Sequence, residues 1–290
     1  VVLGHEATGI ITEVGAKAVG FSVGDRVFVH HHVPCNNCEL CRRQLYTLCE
    51  TFKKTNYDPG GFCEYFAVSS RHLMDTLILP ESVSFEEGTL IEPLACVIHA
   101  IRIADVKPND RTVVIGAGSI GIMFGQVLKA YGIRDIVMYE LDEWRMQKAK
   151  EITGIEVLKP GETLPESLAE YRKFSGAPGA NKVFVVAKDL RAMSLGLELI
   201  GGGGTVLLFA TPEASEYLPF YVSKAFFKQL SIRLSYSADH LDTREALALI
   251  TSGKVNTEEL ITHRFSLEEV SKGILQTEGR GNALKCIVNI

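Results

Sequence analysis

The chain predicts an α/β protein in which a doubly wound parallel sheet is joined to a β-rich domain carrying an inserted cysteine loop. Three observations predict it. Four cysteines, Cys35, Cys38, Cys41 and Cys49, fall within fifteen residues, and a glycine triplet, Gly116, Gly118 and Gly121, follows a short apolar run. From Arg111 to about Tyr236, strand-like and helix-like stretches alternate, which is the pattern of βαβ units. The expected boundaries are 1–98 for the β-rich domain with a metal lobe over 34–50, 99–236 for the dinucleotide domain, and 237–290 for a return to the first domain.

The 290 residues are 46% hydrophobic, enough for a proper core, so disorder is excluded. A formal net charge of −5 argues against nucleic-acid and anionic-membrane partners, which want clustered Lys and Arg. No run of eighteen apolar residues spans a membrane and no charged-then-apolar leader opens the chain, so the cytoplasm is the expected compartment. Seven cysteines, an odd number, suit a reduced metalloprotein better than a disulfide framework. Cys63, Cys96 and Cys286 stand apart from the cluster and read as buried thiols. Val1-Val2-Leu3 runs straight into Gly4-His5-Glu6 as though the chain opened inside a strand, and a preceding segment is expected.

Taken in order, Gly9 to Gly15 and Asp25 to Val29 are β-branched or aromatic runs bounded by Gly and Asp, and read as strands. Glu92 to Ile101 reads as a helix leading into the second domain, with Pro93 in its first turn. Thr112 to Ile115, Asp135 to Tyr139, Val183 to Ala187 and Thr205 to Phe209 are continuous apolar runs, as expected of parallel strands buried on both faces. Ile122 to Tyr131, Trp144 to Ile152 and Leu190 to Ile200 are the intervening helices. Gly201 to Gly204 reads as a structural turn rather than a phosphate loop. A helix over Thr243 to Thr251 and a strand over Lys285 to Ile290 complete the chain.

Val113 to Gly121 is a strand followed by Gly-x-Gly-x-x-Gly and then a helix, the context that gives the triplet its weight. The first glycine permits a tight turn, the second lets backbone approach a pyrophosphate, and the third lets helix pack on strand. Ser119 and Ile120 lie within the fingerprint as candidate cofactor-binding residues, and the amino end of the following helix would face the phosphates. Glu140 closes the next strand nineteen residues past Gly121, where a carboxylate accepts the ribose hydroxyls of adenosine. That favours NAD over NADP, while Arg145 pulls slightly the other way. The nicotinamide ring is expected over the carboxyl ends of the strands, near Ala210.

The spacing Cys-x2-Cys-x2-Cys-x7-Cys lets one loop bring four thiolates around a tetrahedral zinc ion that leaves no position for substrate. An iron–sulfur loop begins the same way but closes with Cys-x3-Cys-Pro, whereas here seven residues intervene and Glu50 follows Cys49. His30, His31 and His32 lie beside this loop; side chains on a strand alternate faces, so the three read as a polar strand end rather than a site.

In their order along the chain these motifs resemble the zinc-dependent medium-chain dehydrogenase/reductase (alcohol dehydrogenase) family, in particular its polyol and threonine dehydrogenase branch. Gly4-His5-Glu6 matches the family's catalytic-zinc motif, the four cysteines its structural lobe, Gly60 to Tyr65 its following strand and the glycine fingerprint its coenzyme domain. The resemblance implies a GroES-like first domain, one structural and one catalytic zinc, NAD, and an alcohol or polyol substrate. It implies His5, Glu6 and Glu92 as the catalytic-zinc residues, a further cysteine ligand and a proton-relaying Ser or Thr before Gly4, and a homodimer or homotetramer. Two other function classes share parts of this pattern: a zinc-free quinone-type reductase of the same fold, and a non-catalytic NAD-binding protein.

Overall fold

In this computed structural model, which describes residues 2–161, 164–278 and 282–290, the chain divides into two compact units. One comprises Val1–Ile98 with Ser237–Ile290, the other His99–Tyr236.

The first unit is built on three antiparallel strands, β1 (Glu6–Ile10), β2 (Arg26–His30) and β3 (Thr76–Ile78), with β2 central. Alternation puts Ala7, Val27 and Val29 against Tyr57 in a small core. The strand expected at Gly9 to Gly15 begins and ends earlier, because β1 pairs residue for residue with β2 from Glu6 opposite His30 to Ile10 opposite Arg26. Val1 lies outside the described residues, and 2–5 carry no regular structure. Helices α1 (Glu39–Arg42) and α2 (Glu50–Lys54) form the cysteine lobe, and α3 (Phe85–Thr89) starts at a Ser84–Glu87 capping box. Helix α4 (Ile91–Ala104) follows directly.

The second unit is a six-stranded, all-parallel sheet: β4 (Thr112–Ile115), β5 (Ile136–Tyr139), β6 (Glu156–Leu158), β7 (Ala180–Val185), β8 (Ile200–Leu208) and β9 (Ser231–Leu234). Its order is β6-β5-β4-β7-β8-β9, so the sequence reverses direction beside β4, the switch point at which such sheets bind ligands. Between the strands run α5 (Ser119–Ala130), α6 (Glu143–Thr153), α7 (Leu164–Ser175), α8 (Leu190–Leu199) and α9 (Val222–Lys228). The fully buried Val113, Val137, Val183 and Val206 explain the continuous apolar runs, and α8 packs Leu195 and Leu199 on them. On the helix α5, Phe124 meets Phe184 with ring centroids 4.9 Å apart.

One expected feature is different. Gly201 to Gly204 are not a turn before β8 but a bulge inside it: Ala180 pairs with Ile200 and Lys182 with Thr205, so four residues stand against Asn181 alone. Gly203 there has φ +71°, and a side chain on Gly204 would meet Ile200 Cδ1 at 2.5 Å.

The chain then returns to the first unit through α10 (His240–Thr251), β10 (Ile261–Ser266), α11 (Val270–Glu278) and β11 (Lys285–Asn289), with β10 and β11 parallel. Asp239 caps α10, accepting from the N–H of Leu241 and Asp242.

Candidate active site

The cysteine lobe is a loop folded around its sulfurs. Cys38 and Cys49 are the N-cap residues of α1 and α2, and Asn36 before α1 and Gln44 after it take left-handed φ values of 59° and 60°. Cys38 Sγ lies 3.5 Å and Cys35 Sγ 4.0 Å from Cys41 Sγ. Those distances bracket the roughly 3.8 Å between sulfurs of a tetrahedral zinc site with bonds of about 2.3 Å. Burial and the neighbouring thiols push Cys41 up to about 12. Burial also opposes ionisation of Cys49, but the backbone N–H groups of Cys35 and Phe52 outweigh it and bring its pKa down to about 6. Four thiols so divided do not ionise together unaided; a divalent ion makes all four thiolates. The remaining cysteines, Cys63, Cys96 and Cys286, are half-buried rather than buried as expected. Cys63 Sγ lies 3.0 Å from the carbonyl oxygens of Gly60 and Tyr65.

A second ligand set is drawn from residues far apart in sequence. His5 and Glu6 enter at the start of β1, and Glu92 lies in the first turn of α4; one ligand atom of each lies within 4.8 Å of the others. His5 is exposed, Glu6 half-buried and Glu92 buried. Burial, then the charge of Glu6, holds the Glu92 carboxyl above its ordinary range, with the His5, His30 and Lys285 charges acting in the opposite direction. Glu6 is ion-paired with Lys285 of β11, and Cys96, one turn along α4, donates to Glu92 Oε1 at 3.5 Å.

The histidine run departs from expectation. His30 and His31 are buried, and one ligand atom of each lies within 4.8 Å of a Glu92 oxygen and of the other. The alternation argument fails because β2 ends at His30, and beyond a strand end the backbone no longer dictates opposite faces. His32 alone turns aside, its Nδ1 on the Thr55 carbonyl. The His31 ring stands 4.8 Å from that of His5. Burial and the adjacent His32 and His30 imidazoles keep His31 far below the usual histidine range, hence neutral. Burial opposes charge on His30 too, but its hydrogen bond to Asp75 and the nearby carboxylates outweigh that and raise its pKa. Sequence reasoning missed Asp75, Thr243 and Lys285 altogether. None belongs to a short motif, and only chain topology brings them here.

In the second unit the glycine fingerprint forms the turn between β4 and α5. Gly116 has φ +105°, and a Cβ on Gly121 would sit 1.9 Å from the Gly116 carbonyl oxygen, so α5 starts in contact with the strand end. Around Gly118 the space is open: a Cβ there meets nothing nearer than Arg145 Nη1 at 4.0 Å. Ser119 and Ile120 are the first residues of α5, and Gly118 is its N-cap. The four N–H groups of that first turn have no helical partner and form an anion-binding end. Glu140 follows β5 and accepts from the Ala117 N–H at 2.7 Å through Oε2 and from the Leu141 N–H at 2.7 Å through Oε1. It braces the glycine turn with the carboxylate expected to receive ribose hydroxyls. Ala210 lies just beyond β8, and because β4 and β8 are parallel it is on the same edge of the sheet as the glycine turn.

Residues 1–80 match the family described as alcohol dehydrogenase GroES-like domain, and residues 119–252 that described as zinc-binding dehydrogenase. Emericella nidulans "Probable D-xylulose reductase A" is 30% identical over 294 residues, covering 99% of this chain and 79% of that protein. Among solved structures, an Escherichia coli CFT073 alcohol dehydrogenase (rspB) complexed with NADH superposes with TM-score 0.88 at 26% identity, covering 100% of this chain and 84% of the other. The 2R,3R-butanediol dehydrogenase of Bacillus subtilis gives 0.87 at 26%, covering 99% and 80%.

Proposed function

This chain belongs to the zinc-containing medium-chain alcohol dehydrogenase family, and from that premise we propose that it transfers hydride between a secondary alcohol or polyol and NAD. The observation that carries the reading is the convergence of His5, Glu6 and Glu92 within 4.8 Å, in a chain whose second unit carries the braced glycine turn. Two of the three named relatives, a D-xylulose reductase and a butanediol dehydrogenase, carry keto-sugar or diol substrates in their names, which supports the substrate class.

In this reading Cys35, Cys38, Cys41 and Cys49 hold a structural zinc, and His5, Glu6 and Glu92 hold the catalytic one. When bound, that zinc supplies a Lewis acid that brings a coordinated hydroxyl toward its alkoxide near neutral pH, and NAD supplies the hydride acceptor. His5 and the two carboxylates orient the alcohol oxygen. Lys285 balances the negative charge of Glu6. Gly116, Gly118, Ser119, Ile120 and Gly121 receive the pyrophosphate, and Glu140 and Arg145 flank the adenosine ribose. Glu140 favours NAD, since a carboxylate repels a 2′-phosphate. Ala210 borders the nicotinamide.

Self-association belongs to the same reading. Strand β9 is an edge of the sheet with every residue exposed, and beside it Phe226 and Phe227 of α9 are 73% and 87% exposed. An edge of this kind suits pairing with a second copy. No helix among the described residues is long and apolar enough to cross a membrane.

The test is NADH formation by the chain with a panel of sugar alcohols, vicinal diols, threonine and simple secondary alcohols, alongside metal analysis. Zinc-dependent NADH production with a polyol is the expected result. NAD binding without turnover on any of them would move the chain to non-catalytic nucleotide binding, and turnover without a second metal would move it to the zinc-free reductases.

A further inference from the structure

We propose that His30, His31 and Glu92 form a second position for a borderline divalent cation such as zinc, separate from the position bounded by His5 and Glu6 and sharing Glu92 with it. The inference concerns ion binding and does not rest on the dehydrogenase reading.

The geometry begins with His30. Its Nδ1 lies 2.7 Å from Asp75 Oδ2, and Asp75 Oδ1 accepts from Thr243 Oγ1 at 2.5 Å. Asp75 is wholly buried and cannot donate as a carboxylate, so His30 Nδ1 carries the proton and the ring orientation is fixed. This is the carboxylate–histidine arrangement that stands behind metal-bound imidazoles, where it sets the tautomer and raises ligand basicity. Its consequence is that Nε2 is the nitrogen left to act as a ligand. That nitrogen is buried and makes no hydrogen bond.

His31 repeats the pattern by other means. Its carbonyl accepts from His72 Nε2 at 3.0 Å, and the other nitrogen of His72 is held by Ser69 Oγ at 2.9 Å, which anchors the His31 backbone. His31 Nδ1 is likewise buried without a hydrogen bond. Two neighbouring imidazoles that each leave a nitrogen unpaired in the interior are costly, and a single cation satisfies both. The third donor is already in place, since one ligand atom each of His30, His31 and Glu92 lie within 4.8 Å of one another.

The donor chemistry selects the ion. Two imidazoles and a carboxylate form a zinc-type set with one position open, whereas calcium and magnesium require oxygen throughout. A divalent charge also compensates two buried carboxylates, Glu92 at the ion and Asp75 behind His30. The position bounded by His5 and Glu6 differs in its surroundings: His5 is exposed and Glu6 is ion-paired with Lys285.

The experiment keeps zinc in the cysteine lobe, empties the remaining sites with a mild chelator and titrates Co2+ while following visible d–d absorption. The doubly substituted chain His5→Ala, Glu6→Gln is expected to bind one Co2+ beyond the lobe zinc. Adding His31→Gln in that background should weaken binding at least tenfold, and adding Asp75→Asn about ten- to a hundredfold. Retained lobe zinc and an unchanged far-ultraviolet dichroism spectrum identify variants that are folded. A measurement without any substitution of the inner residues guards against misfolding: the Co2+-loaded double variant should show hyperfine-shifted, exchangeable histidine N–H resonances, that of His30 slowed by its bond to Asp75. A double variant that takes no Co2+, or an inner substitution that leaves its affinity unchanged, overturns the proposal. Neither outcome touches the dehydrogenase reading, which is judged by NADH formation in the unaltered chain.

Discussion

The thiol lobe and the histidine–glutamate cluster are both candidate metal-ligand sets in one unit, yet they are built in opposite ways. The lobe takes all its ligands from 35–49, on the N-caps and turns of two helices of four and five residues. Its own core is little more than Cys41, Cys49 and Phe52, with Tyr46 alongside. The cluster takes ligands from β1, the end of β2 and α4, and Asp75, Thr243 and Lys285 come from segments as distant as β11. A local set is held by its ion, because so few apolar contacts remain when the ion leaves. A distributed set is held by the fold and survives an empty site.

The strongest way to break that comparison is to remove a lobe ligand. Cys49→Ser is expected to lower the zinc content by one ion per chain and to open 35–54 to proteolysis, since structural zinc contributes on the order of 10 kcal/mol to isolated zinc modules. The second unit, with its own core, should keep its cooperative melt. If the lobe of Cys49→Ser remains protease-resistant, its fold does not depend on the ion and the contrast disappears.

The matching change in the distributed set is Glu92→Gln, for which two effects of opposite sign are expected. Activity should fall by at least about a hundredfold as the shared carboxylate ligand is lost. Stability of the ion-free protein should rise. The folded state holds the Glu92 pKa above its unfolded value of about 4.3, so the ionised form costs stability as pH climbs from the unfolded pKa through the folded one. Glutamine removes that cost, which is roughly 1.4 kcal/mol for every tenfold gain in proton affinity on folding. Thermal melts of chelated protein should therefore separate the two chains near pH 8 and converge toward pH 4. A Glu92→Gln chain that melts lower at every pH would mean the carboxylate stabilises the empty site.

A third pair sharpens the distinction within the second unit, where local spacing also carries a site. Gly121→Ala places a Cβ against the Gly116 carbonyl and should cost about 1–3 kcal/mol of stability along with cofactor binding. Gly118→Ala meets nothing nearer than 4.0 Å at an ordinary φ of −72°, so its melt should be nearly unchanged while NADH affinity falls about tenfold or more. Fluorescence titration with NADH and a thermal melt on both variants check this. Equal NADH affinity in Gly118→Ala and the unaltered chain would remove the pyrophosphate from that glycine.

What can be read in the sequence follows the same division. The lobe and the glycine turn are legible because their chemistry is set by spacing within one loop, and the sheet strands because burial on both faces makes them continuously apolar. The bulge at Gly201–Gly204 is not, because four glycines look alike whether they precede a strand or interrupt one; only the pairing of Lys182 with Thr205 decides. His30 and His31 escape sequence reading because the alternation rule stops at the end of β2, one residue before His31. Asp75 and Thr243 lie 168 residues apart, and no local pattern joins them.

The smallest expected effect lies on the first unit's surface, where a pairing distant in sequence does little work. Arg264 of β10 donates to both oxygens of Glu86 on α3, at 2.8 Å from Nε to Oε1 and 2.7 Å from Nη2 to Oε2, and Asn289 of β11 adds a further bond at 3.1 Å. The hydrogen bond from Arg264 lowers the Glu86 pKa below its usual value. A depressed folded pKa gives stability that is present above the unfolded pKa and lost as pH falls through the folded one. Because the Arg264 side chain is 49% exposed, solvent screens the pair and its contribution is small. Glu86→Gln should thus lower the melting temperature slightly at pH 7 and not at all near pH 3, with zinc content and NADH affinity unchanged. A loss as large as that of Cys49→Ser would show that long-range pairing, rather than burial or an ion, holds the first unit together.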